Sequence, residues 1–471
     1  MAPIWSLPAL DLARRIAAKE LSCVEVIDAH LARIAEVNPA VNAVVRVLEA
    51  DARAAARAAD VKVAAREPLG PLHGVPFTVK ENIDVAGQAT TWGVRPLAEA
   101  VVPMDAPVVE RMRAAGAILV GRTNLPDMAL RVHTDSSLHG LTRNPWNPTR
   151  TAGGSSGGDA VALATGMTAI GLGNDIGGSL RNPANACGIA SIRPTQGRVP
   201  DAGFVPAEDR PMAVQLMNMQ GPMARTVADV RAALKVLMGA HPRDAWSVDA
   251  PFESAPVRRP IRVAVVAEPP GGPTHPAIAA TVRRAADVLA EAGYEIVDAC
   301  PPRYEEAIET WARFLIGDFA PVLPQLLGMM GDDARTVLTA VNAGVPALAD
   351  AAAYAALLSQ RDGIGRSWSQ FFADTPLVLT PTWTQHPFAV GHDVASAQAT
   401  AEVMQMIRPV VHANLLGLPS ACVPAGRDAA TGLPTGVLLT GARFRDDLCL
   451  AAAEAIEARL ALATPIDPTG R

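Results

Sequence analysis

Apolar and polar positions repeat along the chain at two spacings, and the switches between them outline its elements. Val26, Ile27, His30, Leu31 and Ile34 recur at helical spacing behind Ser22-Cys23-Val24-Glu25, whose serine and glutamate stand three apart as in a capping box. A strand is predicted at Ala43 to Val47, an alanine-rich helix at Ala50 to Val61, and short apolar strands at Val75 to Val79 and Ala117 to Val120. Between 140 and 200 glycine becomes dense and periodicity fades, leaving a buried helix at Ala160 to Thr165 and a strand at Thr168 to Leu172. The alternation resumes near 225. It predicts helices at 226–239, 277–292, 304–330 and 347–372, with strands at 261–267, 295–299 and 376–381. Strands near 420–424 and 435–440 and a helix at 446–462 follow. Strands alternating with long helices define an α/β layered fold. The 471 residues are read as one domain, 1–471, with the Pro-rich stretch 241–260 as a surface linker inside it.

Composition narrows the function classes. Apolar residues make up 49% and charged residues 19%, which fits a globular chain and excludes a disordered one. The net charge of −6 offers no basic excess for nucleic acid or an anionic membrane. Five widely spaced cysteines without a C-x-x-C pair argue against a disulfide framework and a zinc site. The opening MAPIWSLPALDLARR lacks the basic-then-apolar order of a secretion signal. The weakly polar run Ala160 to Gly173 is shorter than the roughly 18 residues of a membrane span. A cytoplasmic protein is expected.

Two segments carry candidate chemistry: Gly153-Gly154-Ser155-Ser156-Gly157-Gly158, and Asn174-Asp175-Ile176-Gly177-Gly178-Ser179-Leu180-Arg181. Glycine-rich loops ending in serine can line up backbone N–H groups for a phosphate, a carboxylate or the oxyanion of acyl transfer. A phosphate site is disfavoured, because neither segment has the Gly-Lys-Ser/Thr of a P-loop. Gly153-x-Ser155-x-Gly157 also matches the nucleophile elbow of α/β-hydrolases, but loop-like residues precede it. The downstream His386, His392 and His412 have no distinctive setting. Lysine occurs four times only, and Lys80 ends a short apolar strand in Gly74-Val75-Pro76-Phe77-Thr78-Val79-Lys80. Its stem could pack while the ammonium snorkels to water. Alternatively it is a buried base; an unperturbed lysine is neutral in only about one molecule in 2,500 at pH 7, and burial removes much of that handicap. Composition and spacing leave both readings open.

Lys80 in GVPFTVKENIDV, Ser155 in GGSSGG and Ser179 in GNDIGGSLRNPANACG together resemble the amidase signature family. The resemblance extends through Gly121-Arg122-Thr123-Asn124, Asn144-Pro145-Trp146-Asn147, Gly221 to Val227 and Gly432-Leu433-Pro434-Thr435-Gly436, from about residue 7 to 462, with the signature core at about 70–200. It implies a central mixed β-sheet covered on both faces by helices, and a Ser–cisSer–Lys triad. Ser179 would be the nucleophile, Ser155 after a cis peptide the proton relay, and Lys80 the base. The N–H groups of Ile176, Gly177, Gly178 and Ser179 would form the oxyanion hole. Asp175 and Arg181 would support that loop, and Ser156 would hydrogen-bond near Lys80. No metal or organic cofactor is required, and the partner is a small-molecule amide; a homodimer stays open.

Three departures from the family pattern stand out. Arg193 replaces a common lysine, Asn174 a usual Thr or Ser, and Leu125 to Asp135 differs in a region that meets substrate in the family. The leading reading is a serine amidohydrolase for small to medium, largely apolar amides, with ester or carbamate side activity. Trp92, Met128, Leu130, Arg131 and Trp383 are the expected pocket residues, with Met217 and Met219 nearby. An Arg131 pointing into the pocket would instead select a carboxylate. The alternatives are the A-type component of a tRNA-dependent amidotransferase, whose typical Ser-Leu-Asp-Gln is replaced here by Val214 to Gln220, and a Ser/His/Asp hydrolase using Ser155.

Overall fold

The computed structural model describes residues 2–204, 209–253 and 256–469. Eleven strands build one sheet: β1 (Val44–Val47), β2 (Pro76–Lys80), β3 (Ile118–Thr123), β6 (Ile170–Asn174), β7 (Ala190–Arg193), β8 (Gln220–Ala224), β9 (Arg262–Val265), β10 (Glu295–Val297), β11 (Leu377–Pro381), β12 (Ser420–Arg427) and β13 (Pro434–Gly441). The remaining pair, β4 (Asp135–Ser136) and β5 (Gly140–Leu141), forms a separate short hairpin. The sheet order is β1-β3-β2-β6-β8-β7-β12-β13-β11-β9-β10. It is mixed: β2 runs parallel to β3 and β6, whereas β8, β7, β12 and β13 pair antiparallel in succession. Helices cover both faces, as an α/β layered fold requires.

Every residue of β2 is buried, the pattern of a strand enclosed on both faces. Because β2 and β6 are parallel neighbours, Lys80 and Asn174 emerge at the same edge of the sheet, where α/β folds place their ligands. The helix Cys23–Val41 starts at the capping box read from the sequence: Ser22 Oγ accepts from Glu25 N–H at 3.1 Å, and the Glu25 carboxylate accepts from Ser22 N–H at 2.8 Å.

The structure corrects several boundaries. The span 304–330 is two helices, Tyr304–Phe319 and Leu323–Met329. Pro321 and Pro324 fall at the break, and proline ends a helix by removing an N–H and crowding the preceding turn. The pattern assigns no element to 331–346, where a helix runs Asp332–Gly344, and the next one runs Ala351–Asp374 behind Asp350, whose side chain accepts from Ala353 N–H at 2.8 Å. Strands β7 and β8 and the helices Pro107–Ala114, Arg181–Cys187 and Ala397–Met406 are additions to the elements predicted from the pattern. The stretch 241–260 is fastened to the body by an Arg243–Glu110 pair at 2.5 Å and by Val248 N–H donating to Gly197 C=O at 2.9 Å; its positions 254 and 255 lie outside the described residues. Among the described residues no helix is long and apolar enough to cross a membrane.

Candidate active site

Lys80 is fully buried, so the snorkelling alternative fails. Its Nζ donates to Ser155 Oγ at 2.7 Å and to Asn174 Oδ1 at 2.8 Å. Asn174 in turn exchanges hydrogen bonds with Asn82, at 3.0 and 3.3 Å. Burial pushes the Lys80 ammonium down to about 7, against the opposing pull of Asp159 and Asp175. Asp159 lies in the first turn of the helix Gly157–Ala164 and accepts from Thr78 Oγ1 at 2.9 Å and Thr123 Oγ1 at 2.8 Å. Thr78 shares a strand face with Lys80, and Thr123 is the register partner of Lys80, so this carboxyl sits beside the lysine stem. Burial raises Asp159 to about 6, opposed by the two threonine hydrogen bonds and by Lys80.

The Gly154–Ser155 peptide is cis. Gly154 is required here by close approach: a Cβ would stand 2.8 Å from the carbonyl oxygen of Arg131 and 2.9 Å from the nitrogen of His133. The two glycine–serine segments are joined by Ser156 N–H donating to Ser179 C=O at 3.2 Å. Ser156 corrects an expectation. Its hydroxyl is buried against Gly173 with no hydrogen-bond partner among the described residues, and both Lys80 bonds described above go elsewhere, so Ser156 contributes through its backbone.

The second segment leaves β6 and turns around Asp175. Arg181 grips this carboxylate in two bonds, Nε to Oδ2 at 2.9 Å and Nη2 to Oδ1 at 3.0 Å. Burial alone would raise the Asp175 carboxyl, but Arg181 and Arg193 outweigh it and hold it well below the usual carboxylate range. Gly178 is also corrected. Its N–H donates to Asp175 Oδ1 at 2.7 Å, so it is already engaged and does not face a substrate oxygen. The amides of Ile176, Gly177 and Ser179 have no acceptor among the described residues. Ile176, Gly177 and Ser179 open onto a cavity of about 1010 Å³.

Of the five expected pocket residues, the cavity receives Leu130 and Arg131. Trp92 and Met128 pack instead with Val94, Met330 and Leu338 in a separate apolar cluster. Trp383 is buried, donates to Asn182 Oδ1 at 2.8 Å and stacks on Phe388, while Met217 and Met219 belong to the core. The apolar wall comes from Ile308, Trp311 and Leu315 of the helix Tyr304–Phe319, Val337, Leu338 and Val341 of Asp332–Gly344, and Val403 of Ala397–Met406. Arg131 does point to the cavity, but Asp393 takes its guanidinium in two bonds of 2.6 and 3.0 Å, with Asp333 at 3.5 Å and Asp135 at 3.8 Å. An arginine so paired has no free fork for a substrate carboxylate.

Ser155 bonds to lysine, and no histidine bonds to it among the described residues. His412 Nε2–H donates to Tyr304 C=O, His392 meets Glu402 and His386 faces Asp428, so the histidine elbow has no geometry behind it. Nor do any three His, Cys, Asp or Glu side chains cluster as metal ligands among the described residues.

A buried lysine bonded to a serine, and a second serine in a loop whose Ile176, Gly177 and Ser179 amides are unpaired among the described residues, are groups of the kind that acyl transfer uses. The comparisons specify the class. A family model for amidases matches residues 25–450. The chain is 42% identical over 459 residues to the indoleacetamide hydrolase of Bradyrhizobium diazoefficiens, covering 97% of this chain and 87% of that protein. It is 34% identical over 458 residues to the A-type component of the glutamyl-tRNA(Gln) amidotransferase of a Synechococcus strain, covering 91% and 92%. The solved structure of a bacterial aryl acylamidase of the amidase signature family superposes with a TM-score of 0.84 at 28% identity, each chain covered completely. The chain belongs to the amidase family and is a hydrolase of linear C–N amide bonds.

Proposed function

We propose that this enzyme cleaves small, uncharged amides with an aromatic or otherwise apolar acyl group, arylacetamides such as indole-3-acetamide among them, through an acyl-enzyme on Ser179. The carrying observation is the largely apolar cavity at Ser179, in which Arg131 is neutralised by Asp393 and Arg408 is taken up by the carbonyls of Pro269 and Gly272, so that of the lining arginines Arg313 alone has no carboxylate or carbonyl partner among the described residues. The size of the cavity, at the upper end of the roughly 300–1,000 Å³ usual for ligand pockets, favours breadth and fits anilides, esters and carbamates as side substrates. Ser179 Oγ attacks the carbonyl carbon while its proton passes through Ser155 Oγ to neutral Lys80. The oxyanion takes hydrogen bonds from the free amides of Ile176, Gly177 and Ser179. The Lys80 ammonium returns the proton through Ser155 to the departing nitrogen, the C–N bond breaks, and ammonia or an amine leaves. Water then attacks the ester carbonyl along the same proton path and releases the acid and Ser179. Lys80, Ser155, Asn174 and Ser179 lie in one chain, so this chemistry does not require a homodimer.

The amidotransferase reading has less support, because the hydrolase relative is 42% identical and the amidotransferase relative 34%. The deciding comparison is kcat/KM of the purified chain for indole-3-acetamide against succinamic acid. A preference of at least about tenfold for the arylacetamide is expected, equivalent to about 1.4 kcal/mol. Equal rates, or a preference for the acid, would overturn the substrate assignment, and absence of amide turnover by the chain alone would favour the amidotransferase reading.

Asp159→Asn tests the electrostatics beneath the base. An anionic Asp159 favours the Lys80 ammonium, so its removal lowers the lysine pKa further. The acidic limb of the kcat/KM profile should move to lower pH, by roughly one unit. A limb that stays put or moves upward would show that Asp159 does not act on Lys80.

A further inference from the structure

The loop Asp175 to Ser179 owes its free amides to the way its carbonyls are held. In a trans peptide the C=O and the following N–H point in opposite directions, and the cis bonds of this chain lie elsewhere. Fixing a carbonyl on one side therefore aims the next amide to the other. Asp175 C=O accepts from Asn414 Nδ2 at 3.1 Å and from Met219 N–H at 3.2 Å, which aims the Ile176 amide. Gly178 C=O accepts from the Arg181 and Asn182 amides at 2.9 and 2.6 Å, which aims the Ser179 amide. Between them, Ile176 C=O accepts from the indole Nε1–H of Trp311 at 3.1 Å.

That bond is of a different kind. Trp311 stands on the helix Tyr304–Phe319, outside the signature segments, and its ring also lines the cavity. The ring lies so close to Gly177 that a Cβ there would meet its Cζ2 at 2.8 Å, so the residue at 177 has to be glycine for the indole to reach the loop. With its backbone carbonyl tied to a cavity wall, the Ile176–Gly177 peptide has one orientation, in which Gly177 N–H faces away from Trp311. We propose that Trp311 is a positioning residue for amide hydrolysis: its indole N–H sets the direction of the Gly177 oxyanion donor. This inference rests on the reading of Ser179 as nucleophile with the adjoining amides as oxyanion donors. It adds a functional role for a wall residue and a physical link between the wall that meets substrate and the donors that meet the transition state.

The test replaces Trp311 by phenylalanine and, separately and site-specifically, by the benzothiophene analogue of tryptophan, which keeps the size of the ring and lacks the N–H. Rates on an arylacetamide are measured with inhibition by an arylboronic acid, which forms a tetrahedral adduct on serine, and by the carboxylate product. Deleting an oxyanion donor costs about 10²–10³ in kcat, so loosening one should cost about tenfold. In the analogue variant kcat and boronic acid affinity should both fall about tenfold, while KM and product affinity stay within about twofold. Phenylalanine should show the same kcat loss together with a rise in KM from the smaller ring. If the analogue variant keeps both kcat and boronic acid affinity, Trp311 is wall only and the inference is wrong. The analogue preserves packing, so it decides the question even if the phenylalanine variant does not fold. Ser179→Ala separates the two levels: a variant still turning over would sink the underlying reading, whereas a dead Ser179→Ala beside a fully active analogue variant would sink the role of Trp311 alone.

Discussion

Ser179→Ala is expected to lower kcat by about 10⁴-fold or more and to abolish labelling by a fluorophosphonate, because no other group can form the acyl-enzyme. At about 1.4 kcal/mol per factor of ten, that is roughly 5–6 kcal/mol of lost transition-state stabilisation. Ser155→Ala should behave differently. It removes the hydroxyl bonded to Lys80 Nζ but leaves the nucleophile and the free amides in place, so water can bridge the gap and slow labelling should persist. The pair of variants distinguishes a nucleophile from a relay. Labelling that survives in Ser179→Ala and disappears in Ser155→Ala would transfer the acyl group to Ser155. Intact protein mass after labelling reads this directly.

Lys80→Ala is expected to cost about 10²–10⁴ in kcat, the range of a lost general base. Its pH dependence is the sharper observation. The active form is the neutral amine, and burial brings the ammonium down to about 7, so kcat/KM of the natural enzyme should rise through neutral pH and level off above it. Asp159, raised to about 6, titrates just below and couples to the lysine, so the lower limb belongs to the pair and not to one residue. The buried His133 and His412 do not account for the limb, because burial pushes both down to about 4. In Lys80→Ala the rise across neutral pH should vanish with most of the rate. A mutant that keeps the wild-type profile at reduced amplitude would remove Lys80 from the proton path.

The reacting groups are legible in the sequence because they sit on short segments dense in glycine and serine, a composition that ordinary core packing does not call for. Seven residues suffice to locate Lys80 on a strand end, but its burial depends on β3 and β6 closing over both sides, which no local pattern reveals. Asn174 is visible only as a departure from a pattern. Its contact with the lysine across two strands needs the parallel pairing of β2 and β6. The expected pocket differs from the observed one for a physical reason: proximity in sequence to the catalytic segments is not proximity in space. Trp92 and Met128 fall in the cluster behind the wall residues Leu130 and Leu338, and Trp383 stacks on Phe388, while Trp311, Val337 and Val403 reach the cavity from helices far along the chain and look like any core residue. The helix Asp332–Gly344 carries a readable signal in Ala334, Val337, Leu338 and Val341 at helical spacing. Strand β8 carries none, since Gly221 and Pro222 are poor strand residues and only the neighbours β6 and β7 hold it in the sheet.

The placement of the cavity wall has a consequence for how such an enzyme can diverge. The groups proposed to move protons and bonds hang from β2, β6 and the loops beside them, where Gly154 and Gly177 are held by close neighbours and the Ser155 hydroxyl is bonded to Lys80. The wall is made of apolar side chains on helices contributed by two later stretches of the chain, and exchange of one aliphatic residue for another there changes the shape offered to an amide without touching the lysine or the serines. Selection can therefore redraw the substrate range one side chain at a time while the reaction stays fixed. Position 311 is the point where that freedom ends, because there the lining and the reacting loop share a hydrogen bond.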